Sequence, residues 1–218
     1  MVFGHFNNSL GILPTPEQIL HGLVLAQIDQ FDQFTIKNFK PVVILHVEMW
    51  QKIFDMVEDV EMRKPLTPKI LSDPNHKFVK TLIYIYSMQT FIFSEMNRAS
   101  RCKDVSKIKF YGPLAAALSF IIHNGNVKPT KEMLSVFRGL QIPEKELKEK
   151  YTVGNSFNLQ GFTSTTLKRD VAVGFAIGDE DAEKCPLLIK IKIKGGLQLF
   201  SLNSTELSAF SKEEEILL

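Results

Sequence analysis

The hydrophobic periodicity of this chain changes part way along it, from helical spacing to strand-like alternation. Apolar residues first recur at helical intervals, as they do from Ile19 to Val24. Later, from Ile189 to Lys194, isoleucine and lysine alternate at every position, which is the pattern of a strand with one buried face. The sequence therefore predicts one α+β domain over residues 1–218, with a helical lobe over 1–128 and a β-rich core over 129–218.

Local signals place helices in the first half. Thr15 to Gln18 reads as a capping box with proline at the first helical position. A second helical pattern runs from Pro41 to Pro65. Asp73-Pro74 repeats the device of a cap followed by proline, and it leads into one long apolar segment, Phe78 to Phe91. A further apolar helix should end at the His-Asn-Gly-Asn sequence that starts at His123.

The second half carries strand and turn signals. Gly195-Gly196 follows the alternating Ile/Lys segment and predicts a hairpin. The lysine stripe of that segment could form a phosphate or nucleic-acid surface, but no aromatic residues interleave with it. We therefore interpret the lysines as the solvent face of a strand that discourages edge pairing. The charged sequence from Pro143 to Lys148 predicts a short, solvated connecting helix.

Composition limits the class of protein. The chain is 44% hydrophobic and 23% charged, which is ordinary soluble-protein usage, and its formal charge of +2 is too small to indicate a nucleic-acid partner. No apolar run is expected to reach the roughly 20 residues of a membrane span. The first residues, Met1 to Leu10, lack a basic start and a continuous apolar stretch, so no secretory signal is expected. We expect a monomer that is intracellular or a delivered effector.

Several common chemistries lack their signatures. Cys102 and Cys185 are far apart and most simply are free thiols, although a single bridge remains open. The five histidines share no metal-ligand spacing, so no metal is expected. The sequence contains neither G-x-G-x-x-G after a strand nor G-x-x-x-x-G-K-[ST]. A dinucleotide, if one binds, would need a scaffold other than a Rossmann or Walker site.

The acidic segment near the carboxyl end is the first chemical signal. If a strand begins at the triplet, Glu213 and Glu215 project from one face about 7 Å apart, with Glu214 on the other face. Such a run is most often a solvated surface. Two upstream segments favour a different interpretation: Arg138 lies in an apolar run, where a cation needs an anionic partner, and Gly161 to Thr166 reads GFTSTT.

In this order and at these distances, the three segments resemble the R-S-E signature of the mono-ADP-ribosyltransferases. The ending Ser208, Phe210, Glu213 and Glu215 is similar to the S-x-F/Y-x-x-E-x-E motif of the arginine-modifying branch. The resemblance covers roughly Met133 to Leu218. The segment from Tyr84 to Arg98 more weakly resembles the helix that precedes the catalytic core in eukaryotic-type members.

The resemblance implies a fold and a co-substrate. Members use a split β-sandwich whose cleft binds NAD without a Rossmann turn, with a helical lobe on one side. Arg138 would hold the NAD phosphates and ribose, and the backbone of Gly139 would hydrogen-bond the nicotinamide amide. A guanidinium suits the first task because its planar fork donates paired hydrogen bonds and stays charged.

The resemblance also implies roles for the Ser/Thr block and its neighbours. Ser164 would hydrogen-bond the catalytic glutamate and fix its rotamer, with Thr165 and Thr166 completing the NAD-binding block. Phe175 falls where an aromatic side chain often stacks on nicotinamide, although a core phenylalanine is nearly as consistent with the sequence. Ser208 and Phe210 would lie in the turn that contacts the substrate protein.

The two glutamates would then divide the chemistry. Glu215 would stabilise the positive charge that develops when the bond between nicotinamide and ribose breaks. Glu213 would accept hydrogen bonds from an incoming arginine, whose pKa above about 12 makes it a poor nucleophile by itself. The expected function is transfer of ADP-ribose from NAD to an arginine of a target protein. Two alternatives remain: an NAD glycohydrolase, and an inactive NAD-binding or protein-interaction module.

Overall fold

A computed structural model describes residues 13–33, 50–53, 55, 60–88, 90–125, 134–156, 159, 161–178, 184–194, 199–202, 207–208 and 210–218. Its helices of the first half are α1 (Pro16–Gln33), α2 (Pro68–Leu71), α3 (Lys77–Ser87), α4 (Phe91–Cys102) and α5 (Ile108–Asn124). Its second half contains β1 (Leu134–Pro143), α6 (Glu144–Lys150), β2 (Ser164–Thr166), α7 (Arg169–Ile177), β3 (Lys184–Ile193), β4 (Phe200–Ser201) and β5 (Glu215–Leu217). The predicted α+β class, helical first and β-rich second, is confirmed.

The start of α1 is set by a reciprocal pair of side-chain hydrogen bonds. The backbone N–H of Gln18 donates to Thr15 Oγ1 at 3.1 Å, and the backbone N–H of Thr15 donates to Gln18 Oε1 at 2.9 Å. These bonds satisfy donors that have no partner within the first helical turn. The predicted capping box is confirmed.

The long apolar segment after Asp73 forms two helices rather than one. Asp73 does not cap a helix: its carboxylate accepts the N–H of Asn75 at 2.9 Å in a turn, and His76 caps α3 instead. A second cap, Thr90, accepts the N–H of Ile92 at 3.3 Å and starts α4. The predicted cap at Asp73 is therefore wrong, and the apolar segment is divided because a threonine that bonds the backbone ahead of it favours a new start over continuation.

Helix α5 ends as predicted, at Asn124, with Gly125 beyond it at φ 59. Together with the short 3₁₀ turn before it, the stretch Val105–Asn124 has 20 residues and a mean hydropathy of 1.3 in its most apolar window, enough for a membrane span by length and composition. The expectation that no run reaches this length is therefore wrong. Half of that window is buried inside the molecule, and a core helix of a soluble protein passes the same test.

All the strand pairs described are antiparallel and form one sheet in the order β3-β1-β2-β5-β4. The longest pairing joins β1 to β3, from Leu134 opposite Ile193 to Pro143 opposite Lys184. Strand β3 lies at one end of this order, and its Lys190 and Lys192 are exposed. The interpretation of the lysine stripe as the outer face of an edge strand is confirmed.

Helices and sheet share a hydrophobic core. Phe200, Leu202 and Leu217 of the β half belong to the same buried cluster as Phe78 and Tyr86 of the helical half. Ile216, next to Leu217 in β5, belongs to a second cluster with Val136 of β1. Because neighbouring residues of a strand point to opposite faces, β5 buries one side against the helices and the other against its own lobe.

The remaining sequence predictions concern a surface helix, the two cysteines and segments that lie outside the described residues. Helix α6 has no buried residue, as predicted. Cys102 and Cys185 are free thiols. Most of the predicted helix that starts at Pro41 and the predicted turn at Gly195-Gly196 lie outside the described residues, although residues 50–53 are helical.

Candidate active site

A cavity of about 270 Å³ opens where β1, β2, β5, α4 and α7 meet. Polar groups of its lining come from three distant parts of the chain: Arg138, the block Ser164 to Thr166, and the glutamates Glu213 and Glu215. Phe93, Phe137, Ala172, Phe175 and Gly139 supply the rest of its lining. A concave surface with a few converging polar groups is the usual form of a small-molecule site.

The pairing of β2 with β5 brings Ser164 to Glu215. Thr166 lies directly opposite Glu215, and Ser164 lies opposite Leu217. Ser164 and Thr166 share a face of β2 because they are two residues apart, so Ser164 is the diagonal neighbour of Glu215 on that face. The Ser164 side chain hydrogen-bonds the Glu215 carboxyl. The register thus fixes the hydroxyl and the carboxyl relative to each other.

Arg138 reaches the same strand from β1. Its Nη1 donates to the backbone carbonyl of Ser164 at 2.6 Å. Burial lowers the pKa of the guanidinium below its ordinary value, but a guanidinium stays charged in proteins. The cation is therefore held over β2 with its orientation fixed by the backbone.

Glu215 is a buried carboxyl, with 8% of its surface exposed. Burial raises its pKa from 4.5 to about 7, and the charge of Glu213 adds to the rise. The Ser164 hydrogen bond and the Arg138 charge oppose it. A carboxyl with a strongly raised pKa in a cavity is a feature of functional sites, because burial there is costly without a use.

The acidic triplet is not one strand, and the prediction of simple alternation is wrong. Glu213 ends a short 3₁₀ turn, Ser211–Glu213, and β5 begins only at Glu215. Between them Glu214 adopts a left-handed conformation, φ 49 and ψ 49. This reversal, rather than a two-residue period, lets both Glu213 and Glu215 line the cavity. Burial also raises the pKa of Glu213 above its ordinary value.

Gly139 is where helix α7 touches β1. A Cβ at this position would lie 1.8 Å from the carbonyl oxygen of Ala172 and 2.6 Å from the nitrogen of Ala176. No side chain fits there without moving the helix. The glycine therefore has a packing reason that the sequence pattern did not reveal, and it lets α7 close one wall of the cavity.

Three phenylalanines line the cavity, Phe137 of β1 and two from helices on other sides of it. Phe175 projects from α7 and is 48% exposed, so it is not a core residue. Phe93 of α4 also lines the cavity and packs on the ring of Tyr86 with centroids 5.1 Å apart. Sequence reasoning did not assign Phe93 to the site, although the likeness over Tyr84 to Arg98 includes it.

A buried amide behind the site joins the helices to β2. Asn97 of α4 accepts the backbone N–H of Phe162 at 3.0 Å, and its Nδ2 donates to the Tyr86 hydroxyl at 3.1 Å and to the Phe93 carbonyl at 3.0 Å. Gly161 passes so close that a Cβ there would meet the Asn97 amide oxygen at 2.9 Å. The segment leading to Ser164 is thereby fixed to α4.

Ser208 and Phe210 lie outside the described lining of this cavity. Ser208 is 2% exposed, and its hydroxyl accepts the backbone N–H of Phe210 at 3.0 Å. Phe210 is 42% exposed. Ser208 thus shapes the turn, and Phe210 is the one of the pair that is open to another molecule.

No protein-family model matches this sequence, and no curated protein matches it. Similar solved structures are ADP-ribosyltransferases. The eukaryotic mono-ADP-ribosyltransferase ART2.2 is 18% identical, with a TM-score of 0.49 and coverage of 95% of this chain and 81% of that chain. The Vis toxin, an ADP-ribosyltransferase from Vibrio splendidus, is 14% identical, with a TM-score of 0.44 and coverage of 85% and 76%.

Exoenzyme S from Pseudomonas aeruginosa, solved with human 14-3-3 protein beta and carba-NAD, is 16% identical with a TM-score of 0.41. The match covers 64% of this chain and 60% of that one, so the chain spans about 60% of the length of that Exoenzyme S chain. Likeness at these identities and TM-scores concerns the path of the backbone and assigns no role to any residue.

Proposed function

We propose that this chain is an NAD-dependent protein-arginine mono-ADP-ribosyltransferase. It transfers ADP-ribose from NAD to an arginine side chain of a target protein and releases nicotinamide. The observation that carries the proposal is the convergence of Glu213 and Glu215 on one cavity that Arg138 and Ser164 also line. Two carboxylates suit this reaction, since positive charge develops on the sugar and the acceptor is itself a cation.

The cavity fits the nicotinamide ribose end of NAD. Its volume of about 270 Å³ is close to the lower end, about 300 Å³, of small-molecule pockets. Phe93 and Phe175 offer aromatic faces to a flat ring. We assign the phosphates and ribose to Arg138, and the nicotinamide amide to the backbone of Gly139.

Ser164, Thr165 and Thr166 line the cavity beside Arg138. Thr165 donates its hydroxyl to the backbone carbonyl of Ile216 at 2.8 Å, which fastens β2 to β5. Thr166 donates to the backbone carbonyl of Glu213. We therefore assign to both threonines the positioning of the glutamates rather than a large share of NAD binding.

Glu215 supplies negative charge where positive charge develops. A carboxylate about 4 Å from that charge, at an effective dielectric constant near 20, contributes roughly 4 kcal/mol, or about a thousandfold in rate. Ser164 holds the carboxyl in place by its hydrogen bond. The buried position lets the fixed charge act without reorganisation of water.

Glu213 faces the acceptor. It lines the cavity but is less buried than Glu215, so a guanidinium can approach it from solvent. By accepting hydrogen bonds from the arginine it helps remove the proton as nitrogen attacks the ribose. Phe210, exposed on the turn before it, is available to the protein that carries the arginine.

The test uses labelled NAD with agmatine as the acceptor. We expect the wild-type chain to label agmatine and to release nicotinamide. Glu213→Gln should retain NAD hydrolysis and lose transfer, whereas Glu215→Gln should lose both, by about a thousandfold. Glu144→Gln, which removes a carboxylate from the exposed helix α6, is the matched control and should leave both rates unchanged.

The other outcomes identify the alternatives. Release of nicotinamide without any labelled guanidino acceptor would establish an NAD glycohydrolase. A wild-type chain that fails to bind NAD in calorimetry would be an interaction module. Either result overturns the proposal.

A further inference from the structure

Lys168 binds the acidic turn from outside the cavity. Its Nζ donates to the backbone carbonyl of Lys212 at 3.0 Å and lies 3.1 Å from Oε1 of Glu214. Lys168 lies two residues after Thr166, the last residue of β2, and directly precedes α7. One side chain thus holds residues on both sides of Glu213.

Two further contacts join the same segments. The Thr166 hydroxyl donates to the Glu213 carbonyl and accepts the backbone N–H of Lys168 at 3.0 Å. The backbone N–H of Leu167 donates to the Glu214 carbonyl at 3.3 Å. Residues 166–168 therefore contact each residue of 212–214, and we call this set of contacts the lysine clamp.

The clamp acts at a residue whose backbone conformation is unfavourable. Glu214 has φ 49, a conformation that residues other than glycine rarely adopt. A left-handed residue persists only when its surroundings hold it, and the clamp supplies its carboxylate and its carbonyl with partners. Release of Glu214 would let the turn relax and would move Glu213 away from the cavity.

Glu215 does not depend on the clamp in the same way. Its backbone carbonyl accepts the N–H of Leu202 at 2.8 Å, and β5 pairs with both β2 and β4. Loss of the clamp should therefore displace Glu213 and leave Glu215 in the sheet.

We propose that Lys168 is a positioning residue that keeps Glu213 at the acceptor side of the cavity and so sets the ratio of arginine transfer to NAD hydrolysis. This inference rests on the proposed function. Lys168 itself is not among the described lining of the cavity, and its described side-chain contacts are to Lys212 and Glu214. The effect of its replacement should therefore fall on the acceptor step and not on NAD binding.

The chain should fold without the side-chain contacts of Lys168. The side chains of Lys168 and Glu214 are 41% and 39% exposed, and exposed ion pairs contribute little to global stability. Lys168→Met keeps the aliphatic stem and removes the charge. Lys168→Arg keeps a cation with donors to spare and serves as the conservative rescue.

The experiment measures agmatine labelling and NAD hydrolysis in the same reaction. We expect Lys168→Met to lower the transfer-to-hydrolysis ratio at least about tenfold, because a misplacement near 1 Å can cost about a hundredfold. Hydrolysis and the KM for NAD should stay within about twofold of wild type, since neither uses Glu213. Lys168→Arg should restore most of the ratio.

Lys148→Met is the matched control, because it breaks a lysine–glutamate ion pair, 2.6 Å to Glu144, on exposed helix α6. An unchanged ratio in Lys168→Met, with active wild type, overturns the inference and leaves the proposed function intact. An equal fall in both reactions also overturns it, since the lysine would then support the whole site. Wild-type protein without transfer overturns both.

Discussion

Glu215 links the chemistry of the site to the stability of the protein. Burial raises the pKa of its carboxyl from 4.5 to about 7, so between these values the folded state binds more protons than the unfolded state. The contribution of Glu215 to the free energy of unfolding is therefore fully present below about pH 4.5 and is lost as the pH rises through about 7. The burial that, in the proposed reaction, sets a carboxylate against a developing cation destabilises the protein without ligand.

Replacing this carboxyl should therefore stabilise the fold at alkaline pH. Relative to wild type, Glu215→Gln should gain up to about 3 kcal/mol in free energy of unfolding as the pH rises from 4.5 to 8, since each pKa unit corresponds to about 1.4 kcal/mol. Urea denaturation at pH 5 and pH 8 measures the difference. Glu149→Gln on the exposed helix α6 is the control, and an equal gain in both variants would refute the assignment to Glu215.

At the scale of elements, the contact between α7 and β1 decides the shape of the cavity. We expect Gly139→Ala to lower the free energy of unfolding by about 1–3 kcal/mol, the range for an inserted methyl group that forces a backbone shift. It should also weaken NAD binding, because a Cβ 1.8 Å from the Ala172 carbonyl must displace the helix that carries Phe175. Thermal melts and calorimetric titration with NAD measure the two effects.

Gly174 provides the comparison within the same helix. A Cβ there meets nothing within 4 Å, so Gly174→Ala should stabilise the protein by about 0.5–1 kcal/mol through helix propensity. NAD affinity should be unchanged. If both alanine variants behave alike, the close approach at Gly139 does not control the site.

The elements also show what sequence alone can predict. The caps of α1 and the exposed strand β3 follow from local patterns, because their causes lie within a few residues. The reversal at Glu214 does not, since its left-handed backbone depends on contacts with residues 166–168, far away in sequence. The position of Phe93 in the cavity lining likewise depends on how α4 packs against the sheet, which local sequence does not reveal.

The residues of the candidate site were identified through a resemblance rather than through periodicity. Ser164 and Glu215 are ordinary in their local sequence, and Arg138 stands out only as a cation in an apolar run. The sheet order makes the three residues neighbours. Periodicity placed both glutamates on one strand face, which was the wrong reason for their convergence. The register of β2 with β5 could not be read from the chain because three-residue strands carry too little pattern to specify it.

On the scale of the whole molecule, the shared core predicts a single unfolding transition. Phe200, Leu202 and Leu217 of the β half are buried in one cluster with side chains of the helices. Neither half can therefore unfold without exposing the apolar side chains of the other half to water. We expect urea curves from far-UV circular dichroism and from the fluorescence of Trp50 to coincide. Trp50 packs against that same core and is the sole tryptophan. Separate midpoints would mean that the lobes unfold independently.

The loop after α6 has the opposite character from that core. Val153 is fully exposed, and the neighbouring Gly154, at φ +89, has nothing within 4 Å of where a Cβ would lie. Chain insertions are accommodated best at such exposed tips. A fluorescent reporter inserted between these two residues would mark the molecule while leaving the candidate cleft and the packed interior undisturbed.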